Sequence, residues 1–225
     1  MSSDMSARQP GVELLSSSFS FQAKLACLPR WSTMSDMKVV GSVIARLGSK
    51  RLTYKNLLPY KGTPLVLRAV RFLQACQVVD EVILSTDSEL IARTCLNSGV
   101  KILRRPSDLS GDDVASVPVF RHIVEHYPCE VHVNYNCNFP ECPTDVVERA
   151  VEIVRKKGEA LSVPYAVWAQ TSERLFNYDN PFEITATRFA DERIHSLDVH
   201  HMDDLLEVHR IHQTELPEEW RGCAG

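Results

Sequence analysis

The sequence predicts an α/β fold, a mostly parallel sheet with helices on both faces. Three observations predict it. Strand-like apolar runs and helix-like segments alternate from residue 38 to about 212, the pattern that builds parallel sheets through crossover helices. The first run, 39–45, is short and continuously apolar, as a buried strand is. The chain has 225 residues, 44% of them hydrophobic, which suffices for one domain with a core that needs no disulfide or metal staple.

Each element has its own signal. A polar, basic loop, 46–56, follows the first strand. Pro64 opens a helix over 64–77 with apolar positions Leu65, Leu67, Val70, Leu73 and Ala75, since proline suits a first turn. Residues 81–85 form the second strand. A helix over 88–97 carries Leu90, Ile91 and Cys95 on one side and stops at Asn97-Ser98-Gly99. A third strand, 100–103, leads into a polar loop, 104–115. A helix over 116–126 and a strand over 130–134 come next. Thr144 or Asp145 caps a helix that reaches Lys157, with Val146, Val147, Ala150, Val151 and Val154 as its apolar stripe. Later strands are expected at 160–164, 182–187 and 194–199, and a final helix at 203–212. Residues 1–37 are Ser-rich and aperiodic, with Asp4, Glu13 and Asp36 interrupting any basic leader. They are set aside as a disordered extension or a misassigned start. The domain is then 38–213, and 214–225 a charged tail.

Composition excludes several classes. A net charge of −4 speaks against a general nucleic-acid binder, which carries a basic excess. No apolar run approaches the roughly 20 residues that span a bilayer. The cysteines (Cys27, Cys76, Cys95, Cys129, Cys137, Cys142, Cys223) are odd in number and contain no C-x-x-C pair. Neither a disulfide framework nor a zinc site is indicated, and a cytoplasmic protein with reduced thiols is expected.

Ligands of open α/β sheets bind beyond the carboxyl ends of the strands. The loop after the first strand reads Ala45-Arg46-Leu47-Gly48-Ser49-Lys50-Arg51-Leu52-Thr53-Tyr54-Lys55-Asn56. Its cations suit a polyphosphate, and Gly48 and Ser49 let the backbone come close to a ligand. It matches neither G-x-x-x-x-G-K-[ST] nor G-x-G-x-x-G. His122-Ile123-Val124-Glu125-His126 matches the inverted zinc-protease motif but lacks a downstream glutamate ligand; a solvated helix face is expected.

This loop resembles the signature of the acylneuraminate cytidylyltransferases, and further blocks follow in order. Gly62-Thr63-Pro64-Leu65 resembles the segment opening the family's first helix. Val82-Ile83-Leu84-Ser85-Thr86-Asp87 resembles a strand ending in S-T-D. Arg105-Pro106-x-x-Leu109-x-x-Asp112 resembles R-P-x-x-L-x-x-D, with Ser116 after it. Asp198-Val199-His200-His201-Met202-Asp203-Asp204-Leu205 resembles D-I-D-x-x-x-D-L. The resemblance implies a three-layer, Rossmann-like nucleotide-diphospho-sugar transferase fold. It also implies CTP and an acidic, sialic-acid-like sugar as partners, with CMP transferred and pyrophosphate released. Arg46, Lys50 and Lys55 would be catalytic. Arg46, Gly48, Ser49, Lys50 and Lys55 would hold the triphosphate, with Asn56, Arg105 and Ser116 at the base or ribose. Asp198 and His200 would hold Mg²⁺, or Mn²⁺, and a homodimer is compatible with the family.

The chain departs from the family's pattern at three places. His200 replaces the second carboxylate of D-x-D, a poor substitution for magnesium. The Q-P-T-S-P-L-R segment is here Asn134-Tyr135-Asn136-Cys137-Asn138-Phe139-Pro140, so the glutamine falls on Asn134 or Asn136. The stretch before Asp198, which serves the acceptor sugar in the family, is short. A nucleotidyltransferase with another base and a weakened nucleotide-binding scaffold are the alternatives.

Overall fold

Strand β1 (Val39–Ala45) lies in the interior of a seven-stranded sheet and is buried on both faces. The computed structural model describes residues 37–182 and 184–212; the expectations for 1–36 and for the tail lie outside the described residues. The strand order is β5 (Lys101–Arg104), β4 (Glu81–Thr86), β1, β6 (Val131–Tyr135), β8 (Val167–Thr171), β7 (Glu159–Val163) and β9 (Thr187–Ala190). Only β8 runs against its neighbours β6 and β7; the other pairings are parallel. The expectation of a mostly parallel sheet therefore holds. A short ribbon, β2 (Pro59–Tyr60) with β3 (Thr63–Pro64), turns through Lys61 and Gly62 at φ 46° and 71°, the left-handed pair of a tight hairpin turn.

Helices cover both faces. On one side α1 (Leu65–Ala75), α2 (Glu89–Cys95) and α4 (Asp145–Lys157) pack into a single apolar cluster with β1 and β6. On the other, α3 (Ser116–His126) and α5 (Ser172–Phe176) pack against Val40, Ile83 and Trp168. Three layers result, as expected. The α4 stripe is buried throughout. In α1 the buried face is Leu65, Val66, Ala69, Val70 and Leu73, whereas Ala75 is exposed. Pro64 stands just before the helix rather than in it. In α2, Ile91 and Cys95 are buried but Leu90 is 53% exposed, because only i and i+4 share a face. Gly41 lets α1 close on β1: a Cβ there would meet Val79 at 3.0 Å and Leu73 at 3.3 Å.

The later part of the chain departs from expectation. The strand expected at 182–187 forms instead at Thr187–Ala190, with Phe189 its buried residue and Phe182 exposed. The segment 194–199 is no strand. Its ends, Ile194 and Val199, insert into two separate apolar clusters, and Val199 N–H bonds Asn138 O at 3.1 Å. Anchorage at both ends fixes its path without a ladder. Strand β8 had no sequence reading, because its Gln170 looks exposed in sequence but is fully buried, with a buried partner. Helix α6 (Met202–Ile211) packs Leu205 and Val208 with Val199, Leu52 and Tyr60. That cluster brings the 194–200 segment to the loop after β1.

Candidate active site

A cleft of about 480 Å³ opens at the carboxyl ends of β1 and β6. Its walls include Arg46, Gly48, Ser49, Lys50, Lys55, Asn56, Arg105, Ser116, Asn134 and Asn136, together with His200. Every residue expected at the nucleotide thus faces one space. Asp198 does not line it but bonds two residues that do, Asn138 and His200.

The cationic loop is held open by its own turns. Tyr54 takes a left-handed φ of 56° at the start of a 3₁₀ turn, Lys55–Leu57. For a residue with a Cβ that conformation costs roughly 1–2 kcal/mol, and it turns Lys55 and Asn56 inward. Lys55 Nζ donates to Val199 O at 3.1 Å, and burial pulls its ammonium below the ordinary lysine value. Asn56 is nearly buried and its Nδ2 donates to Arg46 O at 3.0 Å. Its amide N–H₂ therefore braces the loop, leaving Oδ1 for a ligand.

The arrangement contains a residue given no role of its own by the sequence reasoning. Asp112 pairs with both Arg46 and Lys50, the latter at 2.8 Å. The hydrogen bond from Lys50, with Arg46 alongside, holds the Asp112 carboxyl below the usual carboxylate range. Its carboxylate occupies the two cations expected at the phosphates. The signal was the final aspartate of R-P-x-x-L-x-x-D.

Arg105 is 6% exposed, and its Nε and Nη2 are buried without a hydrogen-bond partner among the described residues. Burial lowers its pKa. Buried donors left unpaired are costly and uncommon, so this guanidinium is built to meet an acceptor. Ser116 opens the eleven-residue α3 and lines the cleft. The helix start adds a positive dipole end to the cleft. Of the two asparagines, Asn136 is used by its own loop: Nδ2 donates to Tyr165 O at 3.2 Å and Oδ1 accepts from Asn138 N–H at 3.1 Å. Asn134 Oδ1 instead takes a bond from Ser42 deep in the sheet, at 3.3 Å.

Asp198 and His200 come together although they sit on no strand: Oδ2 and Nε2 are 3.0 Å apart, and Asp198 Oδ1 accepts from Asn138 at 2.8 Å. Asp204 caps α6, accepting from the N–H groups of His200 and His201 at 2.8 and 2.6 Å. Among the described residues no group of three or more His, Cys, Asp or Glu converges. The donor set is one carboxylate with an imidazole bonded to it. That fits a magnesium ion held mostly by substrate phosphates with one protein carboxylate, and not a cage of protein ligands. His122 and His126 lie one turn apart, rings 4.5 Å from each other. Cys137 lines the cleft, but burial pushes its thiol up to about 12, so it stays protonated and is no nucleophile.

A family model described as cytidylyltransferase matches residues 40–203. The 3-deoxy-manno-octulosonate cytidylyltransferase of Bdellovibrio bacteriovorus is 31% identical over 118 residues, 52% of this chain and 46% of that protein. N-acylneuraminate cytidylyltransferase A of Danio rerio is 31% identical over 117 residues, 52% of this chain and 27% of that protein. The matched region thus spans less than half the length of either relative. The solved structure of CMP:2-keto-3-deoxy-manno-octonic acid synthetase complexed with CTP superposes with a TM-score of 0.66 at 16% identity, over 80% of this chain and 100% of that one. This likeness shows the fold. Among the described residues no helix is long and apolar enough to cross a membrane.

Proposed function

The chain belongs to the cytidylyltransferase family, and from that premise we propose that it transfers CMP from CTP to an acidic sugar and releases pyrophosphate. One observation carries the proposal: Arg46, Lys50, Lys55 and Arg105 line one cleft, and Arg105 brings unpartnered buried donors to it. Such a space suits a nucleoside triphosphate. The relatives' names supply the acidic sugar.

Transfer of this kind is mostly positioning and charge stabilisation. The sugar hydroxyl attacks the α-phosphorus and the bond to the β-phosphate oxygen breaks. Arg46, Lys50 and Lys55 offset the charge on the departing pyrophosphate. Asn56, Arg105 and Ser116 hold the base and ribose. Asp198 would hold a divalent cation, Mg²⁺ or Mn²⁺, which when bound adds charge neutralisation at the phosphates; His200 orients Asp198.

Pyrophosphate release, measured with CTP, Mg²⁺ and either 3-deoxy-manno-octulosonate or N-acylneuraminate, tests the proposal. Release with one sugar is expected, with CTP favoured over ATP and GTP by at least about tenfold. CTP binding without turnover on either sugar would leave a nucleotide-binding scaffold. Equal stabilisation by all three nucleotides would remove the cytidine specificity.

A further inference from the structure

A chain of buried polar groups crosses the sheet behind the cleft and ends on Asn134. Gln170 Nε2 on β8 lies 2.6 Å from His132 Nδ1 on β6. His132 Nε2 lies 2.9 Å from Ser42 Oγ on β1. Ser42 Oγ donates to Asn134 Oδ1 at 3.3 Å. All four residues are at most 1% exposed. The register pairs Ser42 with Asn134 and His132 with Gln170, so the sheet itself sets the spacing.

The chain has a direction. A neutral imidazole has one donor and one acceptor nitrogen. Burial pushes His132 down to about 3, so it is neutral near pH 7. Gln170 is turned with Nε2 toward Nδ1, its Oε1 buried without a partner among the described residues; in this orientation Nε2 can only donate, which makes Nδ1 the acceptor and leaves the proton on Nε2. That N–H donates to Ser42, whose own hydrogen then goes to Asn134 Oδ1. Asn134 is thereby held with Nδ2 turned away from Ser42. Nδ2 has no partner among the described residues, and Asn134 lines the cleft. Ile44, two residues beyond Ser42 and so on the same face of the sheet, lines it as well, as does Val119 of α3. Apolar surface with one fixed donor suits a flat heterocycle rather than a phosphate.

We propose that Gln170, His132 and Ser42 are positioning residues that lock Asn134 with its N–H₂ toward the base, where it donates to the unprotonated N3 of cytosine and opposes the N3–H of uracil. This rests on the nucleotide reading of the cleft. Reversing the chain would require Asn134 to turn its oxygen to the base, which would favour uracil. The hydrogen-bond polarity therefore sets the choice between two bases that differ little in shape.

The test is calorimetric titration of the full chain with CTP and with UTP, in the wild type and in Ser42→Ala, Gln170→Leu and Asn134→Asp. The wild type should prefer CTP by about tenfold, the scale of one matched against one opposed hydrogen bond. Ser42→Ala frees the Asn134 amide and should cut that ratio at least about fivefold. Gln170 does not line the cleft, so a lowered ratio in Gln170→Leu must travel through the chain; a merely structural loss weakens both nucleotides alike. Asn134→Asp replaces the donor by an acceptor and should move the preference toward UTP. In an Asn134→Ala background, Ser42→Ala should change the ratio no further. A wild type that prefers CTP while Ser42→Ala and Gln170→Leu keep its ratio overturns the relay alone. A wild type that binds both pyrimidines equally, or favours UTP, also overturns it while the triphosphate site stands. A wild type that binds neither overturns the nucleotide reading and the relay with it.

Discussion

Lys55 offers the sharpest test of the cleft, because its contributions to stability and to CTP affinity should change in opposite directions with pH. Its side chain is partly buried, its ammonium donates one bond to Val199 O at 3.1 Å, and desolvation pulls it below the ordinary lysine pKa. An ammonium has three donors, so two remain for phosphate oxygens. Lys55→Met keeps the length and apolar stem but removes the charge. Losing a charge-assisted bond to a phosphate costs about 1.5–3 kcal/mol, or roughly 10- to 150-fold in CTP affinity. Folding behaves differently. The variant loses one hydrogen bond, about 0.5–1.5 kcal/mol net, and is relieved of a partly buried cation. The two offset, so unfolding in urea should show little net change. The pH dependence follows from linkage. A lysine depressed in the folded state binds fewer protons there than when unfolded. Its penalty is complete below the lowered pKa and disappears as pH rises toward the ordinary value, so this contribution to stability increases across that window. The triphosphate favours the charged form, so CTP affinity should fall as pH rises through the lowered pKa, and Lys55→Met should flatten that fall. Calorimetry from neutral to alkaline pH reads both effects. Unchanged CTP affinity in Lys55→Met would refute the phosphate contact. Severe loss of stability would show that Lys55 is a structural residue.

Two further outcomes follow from the site. Asp112→Asn releases Arg46 and Lys50 from their internal counter-ion, so CTP should bind more tightly, with the gain shrinking as ionic strength rises; isothermal titration at two salt concentrations measures this, and weaker binding would show that Asp112 assists the ligand. Asp198→Ala should abolish pyrophosphate release while leaving the urea midpoint within about 1 kcal/mol of wild type, since its side chain is partly exposed; full activity would remove the metal assignment.

The sequence by itself determined the layered α/β fold. The β1 run and the α4 stripe are local patterns whose period states which face is buried, and both lie where expected. It also pointed to much of the lining of the cleft, though not to the part Asp112 plays there, and Asp198 lies just outside that lining. Residues 46–56 directly follow a buried strand, and loops at the carboxyl ends of such strands converge on one side of the sheet. What only the tertiary structure decided depends on pairing between distant segments. Gln170 and His132 look like surface residues in sequence, yet each is buried because the antiparallel β8 places one against the other. The 194–199 segment has a strand's composition, but it is pinned at both ends to different apolar clusters and makes only single bonds, His195 N–H to Glu141 O and Val199 N–H to Asn138 O, rather than a ladder. Asp112 could be noted as part of a motif, but its hold on Arg46 and Lys50 required two loops to fold together. A polar side chain's role is set by the partner it meets, and that partner lies here some sixty or more residues away for Lys50, Asn134 and Asp198 alike.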